Sequence, residues 1–207
     1  MATKDVVSET PQADPTAHIA DPGPLGLAAF AMTTFVLSAF NSGLVADEKL
    51  KAVVLPLALF YGGLSQFMAG MWEFRKANTF GALAFTSYGA FWLSFAAYAK
   101  YIEPSLGANS AKATGIYLLG WTIFTAYMTV AAVQVNGAVL SVFVFLTLTF
   151  LALTVGEFTG TKSIAHVGGY LGLITAVLAW YTSFAGVTNF TFKRTVLPVV
   201  PLTPKTA

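Results

Sequence analysis

Uncharged hydrogen-bonding side chains recur at helical spacing inside stretches that otherwise carry little but hydrocarbon. Phe30, Thr33, Thr34, Leu37 and Asn41 fall at i, i+3, i+4, i+7 and i+11, which places them on one stripe of a helix. Gly62, Gln66 and Gly70 repeat every four residues. Gly81, Phe85 and Gly89 do the same, with Thr86, Ser87 and Tyr88 beside them. His166, Gly169, Tyr170 and Leu173 share a further face. A primary amide in hydrocarbon is costly unless each donor and acceptor finds a partner. Asn41 and Gln66 therefore fit the wall of an aqueous path, a set of donors suited to a small anion or a polar neutral solute. The glycines have a plainer reading, since small residues let membrane helices approach closely. Thr and Ser can likewise satisfy their own backbone carbonyls.

No Asp, Glu, Lys or Arg falls well inside these stretches. Ionisable residues at membrane depth mark ion pairs, proton relays and gating charges. Their absence argues against a proton pump built on a buried carboxylate. It also argues against an embedded hydrolase, which needs an acid/base set, so no catalytic residue is assigned. His166, near the start of the last stretch, is the ionisable exception, and a lone His there reads either as a hydrogen-bonded structural group or as part of the path. The chain has no Cys, which removes disulfides and thiolate metal sites; neither a metal nor a cofactor is expected. A net charge of +2 makes no electrostatic case for nucleic acid.

These residues need helices to hold them. The chain is 56% apolar and 10% charged, with a mean hydropathy of +0.70, whereas a soluble domain is roughly a quarter charged. A bilayer span takes about 20 apolar residues, and the pattern predicts an all-α membrane protein with six spans: 25–46, 52–72, 79–99, 113–133, 138–156 and 164–186. Charged clusters separate most of them, and Gln134-Val135-Asn136-Gly137 breaks the uncharged run between the fourth and fifth. Asp21, Pro22, Pro24 and Gly26 form an entry to the first helix: Pro tolerates the first turn, and Asp21 can cap it. Residues 1–20 lack the charged-then-apolar order of a cleaved signal peptide. They and the Pro-rich 195–207 are expected to be mobile tails on a transport domain of residues 21–194. Lys and Arg flank both faces, so the positive-inside rule leaves orientation open. Glu73-Phe74 is echoed by Glu157-Phe158, 84 residues on, and Gly26 has a counterpart in Gly115. These echoes fit a three-plus-three inverted repeat, a common transporter plan.

The chain resembles the succinate–acetate permease family, the YaaH-like acetate uptake transporters. The resemblance starts at Asp21-Pro22-Gly23-Pro24-Leu25-Gly26-Leu27, where the family has Asn-Pro-Ala-Pro-Leu-Gly-Leu. It runs through Met32-Thr33-Thr34, Phe60-Tyr61-Gly62-Gly63 with Gln66, and Ala69-Gly70. The strongest block is Asn78 to Leu93, and the match resumes at Gly115 to Leu118, His166, Gly169 and Leu171 to Leu173. Arg194 to Pro198 closes it. The resemblance implies a six-helix protomer with its own pore, a homo-hexamer in the cell membrane, and acetate and succinate as substrates. It also implies a hydrophobic constriction, which maps to Phe30, Tyr88 and Leu146. Asp21 and Gly23 depart from the motif, and Asp21 adds a negative charge beside a possible anion entrance.

Two other readings compete with carboxylate transport. One is a channel for neutral solutes such as urea, short amides or the undissociated acid. The other is a non-transporting membrane sensor or scaffold, against which the buried amides speak.

Overall fold

The computed structural model of the chain describes residues 19–202, so residues 1–18 of the expected N-terminal tail and 203–207 of the C-terminal one lie outside the described residues. Six helices are long and apolar enough to cross a membrane: α1 (Gly23–Asn41), α2 (Lys49–Arg75), α3 (Thr79–Ser105), α4 (Gly107–Ala132), α5 (Gly137–Thr159) and α6 (Lys162–Phe192). No strand occurs among the described residues.

Local chemistry sets the helix ends. Pro22 and Pro24 occupy the start of α1, and the Gly23 N–H donates to Asp21 Oδ1 at 3.1 Å. The α1 helix stops at Asn41, short of the predicted end, because Gly43 turns the chain with φ +77°; only glycine adopts that region without strain. Asn78 caps α3 by accepting from the Gly81 N–H at 3.2 Å, and Asn136 caps α5 by accepting from the Val139 N–H at 2.9 Å. α2 contains a π-helical stretch, Phe60–Ser65. A second π turn, Tyr98–Ile102, carries α3 beyond its predicted end into the charged segment at Lys100 and Glu103. The α6 helix runs for 31 residues and ends at Lys193 in the left-handed region.

The helices close into a ring in which α1 packs along α6, α6 along α5, α5 along α4, and α2 along α3 and α1. The α1/α6 seam is backbone-close. A Cβ on Gly169 would collide with the backbone of Asn41 and Ser42, and one on Gly172 with Ser38 Oγ. Between α3 and α4 the opposite solution is used, with aromatic rings filling the gap. Phe91 stacks on Tyr117 at 5.8 Å and meets Trp121 edge-on at 5.1 Å. Large apolar side chains such as Phe60, Trp72, Ile123, Val130 and Phe190 are exposed on the outside, as a lipid-facing surface requires.

Candidate functional site

Two cavities lie inside the ring, on opposite sides of an apolar neck. The first, about 320 Å³, is built from the N-terminal ends of α1, α3 and α5 and the C-terminal ends of α2 and α6, so it lies on the face that carries both chain ends. The second, about 650 Å³, is built from the opposite ends of the same helices with the start of α4. Phe30 and Leu146 line both cavities, which makes their side chains the partition. Tyr88 joins them from the side of the first cavity, with its ring 5.8 Å from that of Phe30. Tyr88 is held by its neighbours: its hydroxyl is 2.9 Å from Thr125 Oγ1, Phe124 meets it edge-on at 5.4 Å, and Phe143 lies 6.1 Å away.

The path and entry residues expected from the sequence divide into three groups by where they lie. Thr34, Asn41 and His166 line the second cavity. Asp21, Pro24 and Gln66 line the first. Thr33, Thr86 and Ser87 line neither. Thr33 donates to the Ala29 carbonyl at 2.9 Å and packs against Gly62, while Thr86 packs against Gly70. These two threonines stand in the helix–helix contacts that the glycines permit. Pro22 is the N-cap of α1, and Gly26 makes room for the Phe85 ring, which a Cβ would approach to 2.6 Å. Thr34 Oγ1, Thr86 Oγ1 and Gln66 Oε1 are buried with no hydrogen-bond partner.

Glu73 corrects the picture of an interior free of carboxylates. The sequence places it in a loop, yet α2 continues to Arg75. Glu73 is only 2% exposed, accepts from Asn78 Nδ2 at 2.8 Å and lines the first cavity. Glu157, its echo in the sequence, lines the second together with Lys51, Glu103 and Lys162. The repeated Glu-Phe pair was the signal that could have found both.

Residues 195–202, expected as part of a free tail, fold back over the mouth of the first cavity. Asn189 holds this strap from α6, accepting from the Val196 and Leu197 N–H groups at 2.7 and 2.9 Å and donating to the Leu197 carbonyl at 2.8 Å. The Tyr181 hydroxyl donates to the Pro198 carbonyl at 2.6 Å. Gly137 and Ala138 N–H groups donate to the Val200 and Val199 carbonyls at 2.7 and 3.1 Å, and Val199 lines the cavity.

The sequence profile of the GPR1/FUN34/yaaH family matches residues 6–204. The chain belongs to that family. This GPR1/FUN34/yaaH protein is 41% identical over 184 residues to the succinate-acetate/proton symporter SatP of Escherichia coli (strain K12), covering 87% of this chain and 95% of that protein. It is 43% identical over 182 residues to ammonia transport outward protein 2 of Saccharomyces cerevisiae, covering 84% of this chain but 63% of the yeast protein, so it spans less than two thirds of that relative. Among solved structures, the bacterial acetate channel SatP matches with a TM-score of 0.80 at 40% identity, over 87% of this chain and 99% of that one. With six apolar helices of spanning length, this family member is a multi-pass all-α membrane protein.

Proposed function

We propose that this protein carries small carboxylates, chiefly acetate and also succinate, across the cell membrane through a pore within each protomer. The observation that carries the reading is that two cavities on opposite faces share Phe30 and Leu146 as their common wall. A narrow apolar neck between wetter vestibules restricts water and bulk ions while passing a solute small enough to slip by. Tyr88 stands with them as the size-limiting ring. Thr34, Asn41 and His166 on one side, and Gln66 on the other, replace part of the hydration lost at the neck. The names of the two SatP matches support this choice of substrates. Among the described residues no fixed cation lines the neck itself, so binding there is weak and the site favours throughput.

The pore belongs to the protomer, while the exposed apolar flanks leave room for a homo-hexameric packing in the bilayer. A neutral-solute reading draws on one observation, the yeast relative named for outward ammonia transport. Uptake of labelled acetate into proteoliposomes holding the purified protein tests the proposal, with empty liposomes and labelled methylamine as comparisons. Acetate entering no faster than into empty liposomes would remove carboxylate transport; methylamine alone entering faster would favour the neutral-solute reading.

A further inference from the structure

We propose that residues 195–202 are a gate on the first cavity: the strap closes its mouth and must leave its anchors for a carboxylate to pass. This inference rests on the carboxylate-transport reading above. The strap bridges two helices. On α6 it is held by the side chains of Asn189 and Tyr181, and on α5 by the Gly137 and Ala138 N–H groups. Asn136, which caps α5, Asn189 on α6 and Val199 in the strap all line the first cavity. The strap and the helix ends that hold it therefore stand together at the rim.

The attachment is of a kind that can be undone. Val196, Val200 and Leu202 are 42, 58 and 41% exposed, so the strap gains little from apolar burial and depends on its hydrogen bonds. A segment held in this way opens locally well before the fold does. Backbone strain brackets it. Lys193, just ahead of the strap, has φ +53°, and Val200, near its far end, φ +55°. Left-handed geometry is unfavourable for any residue with a Cβ, and most so for a β-branched one. Such residues persist only where their surroundings hold them, and they gather at switch regions. At Val200 the hold is on its own carbonyl, which accepts from the Gly137 N–H at 2.7 Å.

Release of the strap thus gives back strain as it gives up hydrogen bonds, which brings the open and closed states closer in energy than the hydrogen bonds alone would set them. Opening strands no donor either. The N–H groups of Gly137 and Ala138 are the first of α5, where no partner within the helix exists, and water at the mouth can take the place of the strap carbonyls. The device acts on one side of the neck: no residue of the strap lines the second cavity.

The chain has no Cys, so a removable lock can be built into it. A Cβ at Gly137 would lie 3.1 Å from that of Val200, near the spacing of roughly 3.5–4.5 Å that a disulfide spans. The full chain carrying Gly137→Cys and Val200→Cys is placed in proteoliposomes, and labelled acetate influx is measured after oxidant and again after reductant, with free thiols titrated in both states. We expect the oxidised protein to carry acetate at least about tenfold more slowly than the same protein reduced, and each single-Cys variant to ignore the treatment. Tyr181→Phe, which loses only the hydrogen bond to the Pro198 carbonyl, should raise influx about fivefold. A cross-linked protein that carries acetate as fast as its reduced form would overturn the gate. So would a thiol pair that oxidant leaves free, because Val200 would then stand away from α5, and so would a Tyr181→Phe protein no faster than the wild type. No influx in the wild type would remove the transport reading itself, a result distinct from a slow oxidised protein that recovers on reduction.

Discussion

The Tyr88 hydroxyl lies 2.9 Å from Thr125 Oγ1, which ties the ring between the two cavities to α4, the neighbour of the α3 helix that bears it. The tether fixes the Tyr88 ring beside those of Phe30 and Phe143, whose centroids lie 5.8 and 6.1 Å away.

Tyr88→Ala should widen the path. We expect uptake of acids larger than acetate, butyrate for example, to rise at least about tenfold relative to acetate, because a steric barrier of about 1.4 kcal/mol is worth that factor. An unchanged butyrate-to-acetate ratio in proteoliposomes would place the constriction elsewhere. Tyr88→Phe keeps the ring and loses the tether, at a cost of about 1 kcal/mol in stability.

The α1/α6 seam admits no side chain at two positions. Gly169→Leu and Gly172→Val should each destabilise the protein by about 3 kcal/mol or more, since the new atoms meet backbone at Ser42 and the Ser38 hydroxyl. Gly120→Ala, where nothing lies within 4 Å, should melt as the wild type does. Thermal unfolding in detergent compares the three; equal melting of all of them would contradict the seam.

Glu73 and Asn78 act as a unit, since Asn78 donates to the Glu73 carboxylate and also caps α3. Glu73→Ala takes away the acceptor of the exposed Asn78 amide and should cost about 0.5–1.5 kcal/mol. Glu73→Gln can keep the contact and should cost less. A Gln variant melting below the Ala variant would count against this coupling.

The strap over the first cavity hangs on Asn189. Removing that side chain deletes three hydrogen bonds to Val196 and Leu197. The native chain has no Cys, so Val199→Cys supplies a single reporter thiol. Adding Asn189→Ala should speed its labelling by a water-soluble maleimide about tenfold, the factor for roughly 1.4 kcal/mol of lost anchoring. Equal labelling rates would mean that the other anchors suffice.

Val200 sits in that strap at φ +55°, a conformation that costs a β-branched residue roughly 1–2 kcal/mol. Val200→Gly should therefore raise the melting temperature slightly. A clear loss of stability would show that the valine side chain contributes more than its backbone costs.

The number of spans was legible because an uncharged run of twenty residues has few alternatives in a chain this apolar. Helix phase was less so. Thr33 and Thr34 are neighbours in sequence, yet one packs against Gly62 and the other faces a cavity. When a helix is apolar on every side, lipid, neighbour and pore leave the same signature, and no amphipathic pattern separates them. Glu73 was hidden for a related reason: a charge near the end of an apolar run reads as the start of a loop, whereas here the helix runs on and buries it. The strap was missed because Pro-rich composition says nothing about an asparagine on α6 waiting to receive it.

The ring of helices is closed by residues from opposite ends of the chain. The Ser183 hydroxyl donates to the Pro24 carbonyl at 2.7 Å, across a separation of 159 residues. α6 also contributes wall to both cavities, through His166 at one end and Thr182 at the other. During synthesis the first helix must therefore wait in the bilayer without its principal neighbour until the last one has been threaded. A chain without α6 lacks part of the wall of both cavities and the partner of the first helix, so both chambers are properties of the finished chain.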